Sequence, residues 1–327
     1  MIGSNMVVTR LYFEIPDTTD NGNTSYTIDL ARELSKFHRK LIRQKQIFTV
    51  YGGLYQDSHN TNLYISTAPH YWVTKRAINR GFKAWRKQLS DAMSNQADSD
   101  STSPLRTGKW SDFKVSLDTS SNADQSGTGG QLLAKDASGT NLPIGEWNYS
   151  TLTMPRPDIL NSGQYLQLAS DQFDVMIVGD HVSQGSANDG SLNYQKVGLI
   201  KSWLNSRPLP TSHTSDTPDH NPLTLTDPLT AMFFTGDSDE DEKIIEAIND
   251  ENDFPPYDSD VLQGATTSTG HGANLQMQCI VSPDDNTGIA AVAGFQALCG
   301  LVRVHITGDN QGSSVLVLDV ESNGVGF

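Results

Sequence analysis

Cysteine is nearly missing: the 327 residues include two, Cys279 and Cys299. A chain of this length can bury a sizeable core without cross-links, which excludes the disulfide-stapled and fibrous classes. Both cysteines lie in apolar, strand-like runs and are expected as buried, reduced thiols, and two cysteines alone cannot build a cysteine metal site. Long apolar runs are missing as well. The longest, GIAAVAGFQALCGLV at 288–302, contains Gln296 and three glycines and ends at Arg303. It falls short of the roughly 20 residues that a bilayer span needs and reads as core. The opening residues, MIGSNMVVTR, show no charged stretch followed by an apolar one, so no secretory signal is expected. Catalytic signatures are absent too: there is no G-x-S-x-G, no H-E-x-x-H, no Walker loop, and no G-x-G-x-x-G after a strand. The GTGG at 127–130 sits in a polar loop, where glycine serves the turn. No enzyme reaction can be named from these residues, and no internal repeat is found. Hydrophobic residues (36%) and charged residues (19%) are both scarce, and Ser, Thr, Asn, Asp and Gly fill the gap, the composition of a loop-rich, mostly β protein.

Acids are missing from one region only. The net charge is −15, but residues 1–110 hold 15 Lys and Arg against 9 Asp and Glu, while the remainder holds 8 against 29. Within residues 32–87, twelve basic residues face two acids, Glu33 and Asp57. An asymmetry this large points to surfaces with different partners.

What is present is mainly strand. VVTRLYFEI (7–15), QIFTVYGGLY (46–55), NLYIS (62–66), DFKVSLD (112–118), EWNYSTLTM (146–154), QFDVMIVGDHV (172–182), NLQMQCIV (274–281), LVRVHIT (301–307) and SVLVLDVE (314–321) are β-branched or aromatic runs, several alternating with period two. Their irregular spacing suggests an antiparallel sandwich, with long polar loops at 90–104, 118–130 and 206–228. Three helices are expected. From Asp29 to Lys45, Leu30, Leu34, Phe37 and Leu41 form an apolar stripe and Arg32, Lys36, Arg39 and Arg43 a basic back. Thr74 offers an N-cap to a helix over 75–93, with Ile78, Phe82, Trp85, Leu89 and Met93 on one face and Arg76, Arg80, Lys83 and Lys87 opposite. An acidic helix is expected around 239–250.

Two loop features could hold a cation, namely His213, Asp216, Asp219 and His220, and the acidic run at 237–242. The first requires a tightly folded loop and the second lacks the glycine and spaced glutamate of a calcium loop, so both read as solvated segments and no metal or cofactor is expected. The basic helical faces fit an anionic polymer, bound without sequence preference through phosphate contacts. Neutralisation by the chain's own acidic segments and an ordinary wet face remain the alternatives.

At these residues a family resemblance emerges. The runs IDLARELSKFHRKLIRQKQIFTVYGGLY, STAPHYWVTKRAINRGFKAWRKQ, GEWNYSTLTMP, FDVMIVGDH and ALCGLVRVHI, in that order, resemble capsid proteins of small circular Rep-encoding single-stranded DNA viruses, environmental and aquatic members most closely. The likeness rests mainly on residues 28–90 and 145–182, about a third of the chain. It implies one jelly-roll β-sandwich over 1–327, with helical insertions near 29–45 and 74–93 and an acidic surface insertion near 205–270. It also implies self-assembly of this non-enzymatic subunit, inside a host cell, into an icosahedral virion shell around single-stranded DNA, with no membrane partner. Many such coat proteins begin with an arginine-rich arm, whereas here a strand signal starts by Val7 and Arg10 is the first basic residue. The DNA-facing role then falls to Arg39, Lys40, Arg43, Lys45, Lys75, Arg76, Arg80, Lys83 and Lys87. From another class, a carbohydrate-binding or adhesive β-sandwich of a phage tail or cell surface would share the polar loops and scattered Trp and Tyr residues.

Overall fold

The computed structural model describes residues 8–16, 23–57, 61–98, 110–118, 130–143, 145, 147–156, 169–183, 194–206, 275–284, 286–308 and 312–322. In chain order its elements are β1 (Thr9–Ile15), β2 (Asn23–Asp29), α1 (Leu30–His38), β3 (Ile47–Gln56), β4 (Asn62–Thr67), α2 (Trp72–Asp98), β5 (Thr151–Arg156), β6 (Ala169–Met176), β7 (Val182–Ser183), β8 (Tyr194–Gly198), α3 (Leu199–Asn205), β9 (Gln276–Val281), β10 (Ile289–Val292), β11 (Phe295–Leu298), β12 (Leu301–Thr307) and β13 (Ser314–Ser322). Over the span expected to form one domain, the chain gathers into two compact units. Met1–Tyr71, Asp112–Tyr149 and Thr267–Phe327 make the first, and Trp72–Ser111 with Ser150–Thr266 the second.

The first unit is an antiparallel β-sandwich. One sheet runs β1-β13-β3-β10, with β11 also paired to β3, and the other runs β2-β12-β4-β9. Period-two alternation builds the space between them: Leu11, Phe13 and Ile15 of β1, Leu316, Leu318 and Val320 of β13, and Val302, Val304 and Ile306 of β12 all enter one buried cluster. Each such side chain contributes about 1.5–3 kcal/mol on burial. The run 288–302, expected simply as core, holds two short strands, β10 and β11, and a turn that leads into β12. Its interruption matches an irregularity in β3, where Gly52 and Val50 pair with the consecutive Asp319 and Val320, leaving Tyr51 as the extra residue of a bulge.

Residues 130–135 cross from one edge strand to the other. Thr27 donates its N–H to Gly130 O (3.1 Å), Leu132 donates to Thr27 O (2.9 Å), and Lys135 donates to Tyr12 O on β1 (2.8 Å). This segment therefore covers the free edges of both β2 and β1, which would otherwise offer unpaired backbone groups. Residues 112–118, expected as a strand, form none. Phe113, Val115 and Leu117 are buried, but the backbone of Val115 pairs with a side chain: Gln44 donates Nε2–H to Val115 O (3.0 Å) and accepts from Val115 N–H (2.6 Å).

In the second unit a sheet of order β5-β6-β8-β7, with β6 and β8 parallel, packs with α2 and α3. Its buried residues include Val73, Ala77, Ile78, Leu152, Phe173, Val175, Val197 and Ile200. Trp72 meets Trp203 edge to face at 5.3 Å. Because α2 begins at Trp72, Thr74 lies in its first turn rather than at its cap, and the helix continues to Asp98 through half of the segment expected as a loop. The expected acidic helix at 239–250, the two candidate cation loops and the acidic insertion beyond Ser206 lie outside the described residues.

Candidate nucleic-acid interface

The basic back expected on the first helix divides into two groups with opposite roles. The helix α1 ends at His38 instead of continuing to Lys45, because Ser35 captures the chain that follows. Its carbonyl accepts the N–H of Lys40 (3.2 Å), its hydroxyl accepts that of Ile42 (2.9 Å), and Arg39 takes a left-handed conformation at φ 51°. The helix also presents Arg32, not Phe37, to the protein. Arg32 is buried, donating from Nε to Glu33 Oε1 (2.7 Å), from Nη2 to Leu132 O (3.2 Å) and from Nη1 to Gln131 Oε1. Lys36 pairs with Glu33 Oε2 (2.7 Å), the same oxygen that accepts Ala134 N–H (3.0 Å). Arg32 and Lys36 are therefore internal ions that fasten α1 to residues 131–134, while Phe37, expected in the buried stripe, is 53% exposed.

Asp29 anchors the start of this network. It caps α1 by accepting Arg32 N–H at Oδ1 (3.1 Å), and its Oδ2 accepts from Gln44 Nε2 (3.0 Å) and Trp147 Nε1 (2.9 Å). Burial pushes its carboxyl up to about 6, against the opposing pull of Arg32 and these donors. Burial likewise lowers the pKa of the Lys36 ammonium, against the attraction of Glu33.

Both acids of the region 32–87 are thereby taken up inside the protein. Glu33 serves Arg32, Lys36 and Ala134, and the buried Asp57 accepts from Thr61 N–H (3.1 Å), the Thr61 hydroxyl and Ser314 Oγ (3.1 Å). The ten remaining basic residues of the region then have no acid of the same region beside them at the surface.

The nine expected contact residues fall on both units. On the first, Arg39, Lys40 and Arg43 are exposed and Lys45 is half-buried; Arg43 lies near enough to Asp112 to oppose the burial-driven rise of that carboxyl. On the second, Arg76, Arg80, Lys83 and Lys87 are exposed on α2 and Lys75 is half-buried. Those four exposed residues lie within about 60° of one another around the helix, opposite the buried Ala77, Ile78 and Gly81. None of the four is in an ion pair among the described residues, and Arg86, outside the expected set, is exposed on the same helix. Gln88, one position after Lys87, holds α2 to β5 by accepting Thr153 N–H (3.2 Å) and donating to Thr153 O. That contact fixes how the basic row is presented within its unit.

Other sites carry less. A cleft of about 240 Å³ opens beside β1 and β2, lined among others by Glu14, Tyr26, Gln131, Lys135 and Asn141. Its two charges neutralise each other at 2.8 Å. Among the described residues no group of three His, Cys, Asp or Glu side chains is placed to hold a metal ion. Cys279 is a half-buried and Cys299 a buried free thiol, and burial raises the pKa of both. Among the described residues no helix is long and apolar enough to cross a membrane. No family model, no curated protein and no solved structure matches this chain.

Proposed function

We propose that this chain is the structural subunit of a viral capsid, whose copies assemble into an icosahedral shell around single-stranded DNA. The observation that carries the proposal is the row Arg76, Arg80, Lys83 and Lys87, exposed and without ion pairs among the described residues, in a chain whose net charge is −15. A basic face maintained within an acidic protein suits a polyanion, which gains affinity from counterion release at each phosphate contact. The strand order supports the same reading. Two sheets ordered β1-β13-β3-β10 and β2-β12-β4-β9 support reading the sandwich as a jelly roll, an architecture used by coat proteins and also by lectins. Fold alone therefore does not decide function, and the basic surface favours the coat over the lectin.

The test is electron microscopy of the purified full chain together with assay of co-purifying nucleic acid. Closed shells that contain nucleic acid are expected, and a soluble monomer at every salt and pH tried overturns the assembly reading. Replacing Arg76, Arg80, Lys83 and Lys87 together by Gln is expected to yield particles depleted of nucleic acid. Unchanged content in normal particles overturns the role of α2.

A further inference from the structure

The end of α1 sets an exposed aromatic ring a few residues from exposed cations. Phe37 is more than half exposed, although the apolar spacing of Leu30, Leu34 and Phe37 would have put it in the core. One exposed aromatic is ordinary by itself. Here, however, the chain adds exposed charge just beyond His38: Arg39 and Lys40 come next and Arg43 three residues later. The acids closest to Arg39 and Lys40 in sequence, Asp29 and Glu33, are buried and bound to internal partners, and Asp112 is the acid that lies near Arg43.

The backbone supplies a second observation. Arg39 is left-handed, φ 51° and ψ 39°, at the position where helices most often carry glycine. An L side chain there costs on the order of a kilocalorie per mole, so the chain holds an arginine where glycine would suit the turn better. Strain of this kind is concentrated at functional positions. The ring is also braced. Its neighbour His38 meets it edge to face at 5.4 Å, and His38 Nε2 is tied to Thr9 Oγ1 of β1 at 2.8 Å. A single T-shaped neighbour leaves at least one face of the phenyl ring open.

We infer that Phe37 is a stacking platform for an unpaired nucleobase, with Arg39, Lys40 and Arg43 holding the adjoining phosphates, so that this end of α1 binds single-stranded in preference to duplex nucleic acid. This rests on the nucleic-acid reading above and deepens it: charge alone attracts single strands and duplexes alike, whereas stacking requires a base free of its partner.

The experiment measures anisotropy of a labelled oligothymidylate and of a labelled duplex with the full chain and three variants. Phe37→Ala is expected to weaken single-strand binding roughly tenfold and leave duplex binding unchanged, and Phe37→Trp to retain single-strand binding. Arg39→Gly is expected to weaken both while raising the melting temperature, a pairing of effects that a structural role would not produce. Equal loss on both probes for Phe37→Ala, or no loss while Arg39→Gly weakens binding, overturns the stacking platform and leaves the polyanion reading standing. If the wild-type chain binds neither probe, both readings fall. If Phe37→Ala alters particle assembly but not binding, the ring belongs to a contact between copies and the inference is overturned.

Discussion

Among single residues, the sharpest separation lies between charges that hold the fold and charges that face outward. Arg32 and Arg39 are seven positions apart and share one arc of an ideal helix, yet Arg32 is enclosed by Glu33, Gln131 and Leu132 while Arg39 stands in solvent. The sequence showed the arc but not which arc meets protein. The available clue was Glu33, the one acid among the basic residues, placed to pair with both Arg32 and Lys36. Asp29 offers a test of the same buried network by pH. Its ordinary value of 3.8 is raised to about 6, so between these values the folded chain binds more protons than the unfolded one. Stability from this group is therefore complete below about pH 3.8 and declines as pH rises through 6, by about 3 kcal/mol in all. Urea titrations of the wild type and of Asp29→Asn at pH 4 and pH 7 isolate the effect, since the variant does not titrate there. The wild type is expected to lose stability relative to the variant by up to that amount over the interval. A difference that does not change with pH would show an unperturbed carboxyl.

Elements differ in how plainly the sequence announced them. Strands β1 and β13 alternate cleanly, because one face of each meets the core and the other does not, whereas β3, β4 and β12 were legible as β-branched and aromatic runs, β12 being buried on both faces with Arg303 included. Strand β2 was not, since NTSYTID brings only Tyr26 and Ile28 to the core cluster. Strands β10 and β11 were hidden in an Ala- and Gly-rich run whose break is set by the Tyr51 bulge in another strand. Residues 112–118 carry apolar residues at every second position like a strand, yet all of 113–118 is buried and Val115 pairs its backbone with the side chain of Gln44, because an apolar period does not name the partner. The turn from β11 to β12 offers an energetic check on this level. Cys299 and Gly300 both have positive φ, 59° and 68°, and a Cβ on Gly300 would stand 2.9 Å from the Phe48 ring and 3.2 Å from the Ala31 nitrogen. Gly139, at φ 77°, has nothing within 4 Å of such an atom. Gly300→Ala is expected to cost about 2–4 kcal/mol from strain plus crowding, and Gly139→Ala about 1 kcal/mol from strain alone. Thermal melts of the two variants compare them directly, and equal losses would show that Phe48 and Ala31 yield without cost.

At the scale of the whole molecule, the net charge of −15 hides two regions of the sequence with opposite balance. It averages a region whose acids are all internal with acidic stretches concentrated after residue 206. Connectivity was the least legible property, because strand signals carry no record of who pairs with whom. Here β1 pairs with β13, and β2 and β4 both pair with β12, so that Arg10 and Asp319, 309 positions apart, meet as a bidentate pair at 2.7 and 2.8 Å. No two of the first four strands pair with each other. A chain ended after Gly300 would lack β12 and β13, the strands that join β2 to β4 and β1 to β3. Such a chain is expected to lose the cooperative melt of the sandwich and its near-ultraviolet circular dichroism, and a retained transition would show that the N-terminal strands find other partners. The same order governs synthesis. As the chain leaves the ribosome, β1 to β4 emerge as lone strands with apolar faces uncovered, and they wait through some two hundred further residues for the first of their strand partners. During that interval the nascent chain depends on being shielded, and crowding many copies on one message would put their unpaired strands within reach of each other.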